Sequence, residues 1–327
     1  MTLFLALLGV PALLLLLPFL FTLYMARKVE SLLPPRGRFV DVPGARLHLH
    51  HIHGGLPGAP AILLVHGLAG QLAHYTYGVT DRLAGRWRMV AVDRPGNGHS
   101  TRGPDTPADL RTQADALAAL IDELGLERPL VVGHSLGGAL ALALALDHPQ
   151  RVGGLALVAP LTHTQDAVPP VFEGLTIRSP FWRRLVAWTI AIPASIRNSR
   201  ATLEQVFGPD PVPHDFATRG GGLLGLRPGA FLAASADLLA LPDRLPEQQA
   251  RYGDLQVPVS ILYGKDDRIL DWLAHGQALA DKVQGARLEL VPGGHMLPVT
   301  HPDVTAAFID AAAARCRAGR RAAMAQG

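Results

Sequence analysis

Residues 130–139 read LVVGHSLGGA, and this decapeptide constrains the fold more than any other stretch of the chain. Its first residues are β-branched and apolar, as in a strand buried on both faces. Its last residues open the apolar run Leu136 to Leu146, which reads as a buried helix. At the junction stand Gly133, His134, Ser135, Leu136 and Gly137, a G-x-S-x-G pattern. Glycine is suited to a place where two backbones come close or φ turns positive. The pattern therefore predicts a tight strand-to-helix turn that holds the Ser135 hydroxyl exposed beside helix-terminal N–H groups able to stabilise an anion.

Strand-like segments also occur at Arg38 to Val42, Ala45 to Ile52, Ala61 to Val65 and Arg88 to Val92. Gly154 to Val158, Pro258 to Tyr263 and Arg287 to Val291 extend the series. Helical stretches such as Pro107 to Leu124 and Pro302 to Arg317 separate them, and this alternation predicts an α/β domain with a mostly parallel sheet covered on both faces. The alternation lapses between residues 161 and 245, where helical fragments are punctuated by Pro169, Pro170, Pro180, Pro193, Pro211, Pro213 and Gly220 to Gly222. The expected organisation is a core over residues 36–160 and 246–320, interrupted by a helical cap at 161–245.

A serine hydroxyl becomes a nucleophile only when a base takes its proton, and the base works best when a carboxylate orients it. His295, in LELVPGGHMLP, follows the last strand in a glycine-rich loop. His301 begins the next helix and reads as a surface residue, and His134 points away from the serine if the turn forms. Tyr263-Gly264-Lys265-Asp266-Asp267, after the preceding strand, offers two carboxylates of which one can face His295; Asp267 is favoured over Asp266.

His66-Gly67, Asp93 to Ser100, Gly133 to Gly137, Gly264 to Asp267 and Gly294-His295 occur in the order of the α/β-hydrolase superfamily, which the chain resembles from about Arg38 to Ala314. The resemblance implies an α/β-hydrolase fold with a triad of Ser135, Asp267 and His295, the acid being the third residue after the glycine. It also implies an oxyanion hole made by the backbone N–H groups of Leu68 and Leu136. A serine rather than an aspartate at the turn separates the chain from haloalkane dehalogenases and epoxide hydrolases of this fold. His66 reads as a structural residue of its turn.

Thr2 to Ala26 carries no formally charged side chain. As a helix it would extend about 35 Å, enough to cross the hydrocarbon core of a bilayer. Basic residues follow it at Arg27, Lys28, Arg36 and Arg38, and no cleavable-signal pattern is present, so one N-terminal transmembrane anchor over residues 2–26 is expected, with the remaining chain on the cytoplasmic side. In layout the protein is similar to membrane-anchored monoacylglycerol lipases.

The net charge is only +3 and the arginines are scattered, which argues against a nucleic-acid partner. The single cysteine, Cys316, excludes an internal disulfide. Histidines alternate along LHLHHIH at residues 47–53, a spacing that could pair imidazoles on one strand face. No neighbouring Cys, Asp or Glu in sequence completes a metal site, and neither a metal nor an organic cofactor is implied. The expected function is a membrane-anchored serine hydrolase acting on a small hydrophobic or lipid-like carboxylic ester. C–C bond hydrolysis or haloperoxidase-like perhydrolysis on the same triad, and a non-catalytic binding module on this scaffold, are the alternatives.

Overall fold

The computed structural model describes the backbone of residues 2–56 and 58–324 and the side chains of residues 15–56 and 58–318. Among the described residues the strands are β1 (Arg38–Val42), β2 (Ala45–Ile52), β3 (Ile62–Val65), β4 (Met89–Val92), β5 (Thr101–Arg102), β6 (Leu130–His134), β7 (Gly154–Val158), β8 (Val259–Gly264) and β9 (Arg287–Val291). The helices are α1 (Thr2–Leu32), α2 (Ala73–Thr76), α3 (Val79–Leu83), α4 (Leu110–Glu123), α5 (Leu136–Asp147) and α6 (Pro180–Thr189). They continue with α7 (Ala191–Phe207), α8 (Pro228–Leu239), α9 (Leu241–Ala250), α10 (Ala278–Lys282), α11 (Leu297–Thr300) and α12 (Pro302–Met324).

All the strands join one sheet in the order β1-β2-β4-β3-β6-β7-β8-β9, with β5 paired to β2. From β4 to β9 neighbours run parallel, and β1 and β2 add an antiparallel edge. The central strands β3, β4, β6 and β7 are buried at every residue, which is why they read as continuous apolar runs rather than alternating ones. Alternation decides only the face. Leu63 and Val65 pack in one cluster with Leu117 and Leu140 of α4 and α5, whereas Ile62 and Leu64 pack in another with Ile309 and Ala313 of α12.

Helix α5 is buried from Leu136 through Leu146, as its all-round apolar sequence requires. Truncating a side chain such as Leu140 to alanine there would cost about 2–5 kcal/mol. Helix α4 is amphipathic and starts at Asp109, whose carboxylate accepts from the Thr112 N–H at 3.0 Å.

Between β7 and β8 the chain adds helices α6 to α9 and no strand. Pro180, Pro228 and Pro242 stand in the first turn of α6, α8 and α9, where the missing N–H costs nothing. The cap boundary expected at residue 245 falls inside α9.

The structure bears on the N-terminal expectation only in part. Among the described residues no helix is long and apolar enough to cross a membrane. The side chains of residues 2–14, half of the expected span, lie outside the description. The helix does not stop at Ala26 but runs to Leu32, and its C-terminal half packs on the cap helices α6 and α7. Thr22, Ala26 and Val29, one helical face, are buried there, and the Phe19 and Trp188 rings lie 5.7 Å apart. Leu16, Leu17, Leu20 and Tyr24 remain exposed.

Candidate active site

The parallel strands deliver the candidate residues to one edge of the sheet, just beyond the C-terminal ends of β6, β8 and β9. Ser135 takes φ 55° and ψ −123°, a conformation that a residue with a Cβ adopts only under constraint. Three hydrogen bonds supply the constraint. Its N–H donates to the Val158 carbonyl at 3.1 Å, and its carbonyl accepts from Gly138 at 2.8 Å and Leu161 at 3.0 Å. The flanking glycines are required by close approach, since a Cβ at Gly133 would strike the Gly137 carbonyl and one at Gly137 the Val65 carbonyl.

His295 donates from Nδ1 to Asp267 Oδ2 at 2.7 Å, and both side chains are buried. The other Asp267 oxygen, Oδ1, accepts from the backbone N–H groups of Ile269 at 2.8 Å and Leu270 at 3.0 Å. Asp266 is exposed; its backbone N–H donates to Gly293, and its side chain does not meet His295. With the Nδ1 proton committed to the carboxylate, the lone pair of His295 lies on Nε2. Ser135 and His295 line the same cavity.

Leu68 lines that cavity as well. Among the described residues neither the Leu68 nor the Leu136 N–H donates to a protein acceptor. Gly67 lies so near the serine that a Cβ there would come within 2.8 Å of Ser135 Cβ. The cavity measures about 200 Å³. Its walls are largely apolar, with Phe172, Leu203, Val206, Phe207 and Phe216 contributed by the inserted region, and no lysine or arginine lines it among the described residues.

The family described as alpha/beta hydrolase fold matches residues 60–194. An uncharacterized protein of Mycobacterium bovis is 30% identical over 87% of this chain and 82% of its own length. The chain belongs to the α/β-hydrolase superfamily. It is 28% identical, over 71% of its length and 80% of the relative's, to a 2-hydroxy-6-oxononadienedioate/2-hydroxy-6-oxononatrienedioate hydrolase of Burkholderia vietnamiensis. It is 41% identical to the dihydrolipoyllysine-residue acetyltransferase component of the acetoin cleaving system of Cupriavidus necator, but spans only 32% of that protein, over 38% of its own length. Among solved structures, a membrane phospholipase A, a bacterial virulence factor, superimposes with a TM-score of 0.67 at 25% identity, covering 95% of this chain and 99% of that one.

Other α/β-hydrolase signature residues brace the site through hydrogen bonds. His66 is fully buried, donates from Nδ1 to the Gly67 carbonyl at 2.8 Å and accepts the Arg94 N–H at Nε2 at 3.0 Å. Burial keeps it well below the usual imidazole range, hence neutral. His134 lines the cavity beside Ser135 and donates from Nε2 to the His295 carbonyl at 2.9 Å. Burial depresses its pKa strongly too, with the nearby His295 a smaller contribution. The sequence carried no sign of that bond, because its ends are distant along the chain.

The histidine-rich strand β2 takes protein partners. His48 Nδ1 lies 2.7 Å from Asp93, a carboxylate that proximity in sequence did not reveal, and His51 Nε2 accepts from Arg88 at 3.0 Å. Among the described residues no group of three or more potential ligands is arranged to hold a metal. Cys316 is buried.

Proposed function

We propose that the protein is a serine hydrolase that cleaves a carboxylic ester of a hydrophobic acid through an acyl-enzyme. The reading rests on one observation above all: an Asp267–His295 pair beside a conformationally constrained Ser135, at the wall of an apolar cavity free of cationic side chains. Ser135 Oγ attacks the ester carbonyl carbon while His295 Nε2 takes its proton. Asp267 stabilises the resulting imidazolium. The N–H groups of Leu68 and Leu136 receive the oxyanion, which collapses as His295 returns the proton to the leaving alcohol. Water, activated by the same histidine, then releases the acid.

C–C bond hydrolysis on the same residues is the second reading, favoured by the dienedioate hydrolase among the relatives. Its named substrates carry two carboxylates, and a cavity with no lysine or arginine among the described residues offers them no counter-ions there. An uncharged acyl chain suits it better.

We also assign the protein to a membrane, with the catalytic domain on the cytoplasmic side. The uncharged stretch Thr2 to Ala26, the cations that follow it and the likeness to a membrane phospholipase support this. The decisive experiment is kcat/KM along a series of p-nitrophenyl esters from acetyl to dodecanoyl below their critical micelle concentrations, with a dienoic C–C substrate and a thioester alongside. Each buried methylene adds up to about 0.8 kcal/mol until the cavity is filled, so the rate constant should rise through the medium chains. A maximum at acetate, or turnover of the C–C substrate alone, would overturn the assignment.

A further inference from the structure

Arg94 is fully buried, an uncommon position for a guanidinium. Its Nε donates to the His66 carbonyl at 3.1 Å and its Nη2 to the Gly67 carbonyl at 3.0 Å. Its Nη1 donates to Gln113 Oε1 of α4 at 2.8 Å and to Asp237 Oδ2 at 2.9 Å. Asp237 belongs to α8 of the cap and is itself fully buried. It also accepts from Arg102 Nη1 at 2.9 Å and from Asn97 Nδ2 at 3.0 Å. A buried ion pair is weak evidence of a stability role, because apolar side chains of similar volume commonly serve as well. The partners of this one suggest another.

The Gly67 carbonyl and the Leu68 N–H belong to a single peptide plane, and in a trans peptide they point in opposite directions. The carbonyl is held by Arg94 Nη2 on one hand and by His66 Nδ1 at 2.8 Å on the other. Two donors on the oxygen fix the rotation of the plane, so that the Leu68 N–H is directed away from the guanidinium. They also polarise the amide, which strengthens it as a donor. The neighbouring Gly67 already abuts Ser135.

The geometry points to Arg94 and Asp237 as positioning residues for the oxyanion-stabilising amide: Asp237, brought by the cap, fixes Arg94, and Arg94 fixes the Gly67–Leu68 peptide. This rests on the acyl-transfer reading above and adds that the oxyanion hole is complete only when α8 is seated. Neither side chain lines the cavity, so neither would touch substrate.

The test removes both charges together, as Arg94→Met/Asp237→Leu, with Arg94→Lys as a second variant that keeps a cation for Asp237 but cannot bridge both carbonyls. In each, kcat for a short soluble ester should fall about 10–100-fold with KM within about twofold, because the lost interaction belongs to the transition state. The inhibition constant of an alkyl trifluoromethyl ketone, whose adduct with Ser135 carries an oxyanion, should rise by a similar factor. Thermal unfolding should confirm that the compared variants are folded. Parental kcat and parental ketone affinity in a folded double variant would reduce the pair to a cap tether. If the double variant does not fold, the same two measurements on Arg94→Lys decide. Turnover surviving Ser135→Ala in the parent would instead refute acyl transfer itself, an outcome distinct from either.

Discussion

Asp267→Asn is the sharpest single perturbation, because the structure forces the direction in which the new amide must sit. Oδ1 of Asp267 accepts two backbone N–H groups, from Ile269 at 2.8 Å and Leu270 at 3.0 Å. An asparagine must keep its carbonyl oxygen there, since the reverse orientation would set its NH2 against two donors. The NH2 then occupies the place of Oδ2, 2.7 Å from His295 Nδ1. A donor at that place makes Nδ1 the acceptor and moves the ring proton to Nε2, the nitrogen needed to take the proton from Ser135. The fold keeps both backbone bonds, so stability should change by only about 1 kcal/mol. The chemical step loses both its base tautomer and the carboxylate that stabilises the imidazolium, a loss of about 10⁴ in kcat, or about 5.5 kcal/mol of barrier. Steady-state hydrolysis of p-nitrophenyl butyrate at pH 8, with urea unfolding in parallel, measures both. Asp266→Asn, at an exposed turn position, should stay within about twofold of the parent. A stable Asp267→Asn enzyme retaining more than a tenth of the parental kcat, or a larger loss in Asp266→Asn, would refute the reasoning.

Ser135→Ala and His295→Ala should each lower kcat by about 10⁴ or more and the double variant by little beyond either, since the members act as a unit; losses that multiply would show independent action. Gly67→Ala, whose Cβ would come within 2.8 Å of Ser135 Cβ, should cost at least about tenfold in kcat by displacing the oxyanion loop, and unchanged turnover would show that the loop yields without consequence. Stability should decline on acidification. Burial lowers the pKa of His66, His74 and His134, His74 to about 4, against about 6.5 in the unfolded chain. Between those values the unfolded state binds more protons, so the stabilisation from keeping these rings neutral is fully present above about pH 6.5 and is lost as pH falls towards 4, by up to about 1.4 kcal/mol per pH unit for each ring. Urea midpoints that stay level from pH 7 to pH 4.5 would contradict it.

What was legible in the sequence was local or ordered along the chain. The strand, turn and helix around Ser135 follow from glycine spacing and an apolar run within a few residues. Asp267 and His295 follow from the loops after successive strands, because a parallel sheet brings the ends of its strands to one edge. Contacts between distant segments left no such trace. Asp237 lies in a helical stretch of the cap, and its meeting with Arg94 depends on how that insertion folds back over the core. His134 shows a ring beside a serine but not the His295 carbonyl that it holds. The N-terminus marks the limit most clearly. A helix apolar on every side has no periodicity to say which face is covered, and lipid and protein are equally acceptable neighbours for leucine. The sequence by itself determined that Thr2 to Ala26 must hide apolar surface; the tertiary structure decided that, among the described residues, the face bearing Thr22, Ala26 and Val29 is buried where the helix packs on the cap while Leu16, Leu17, Leu20 and Tyr24 stay exposed.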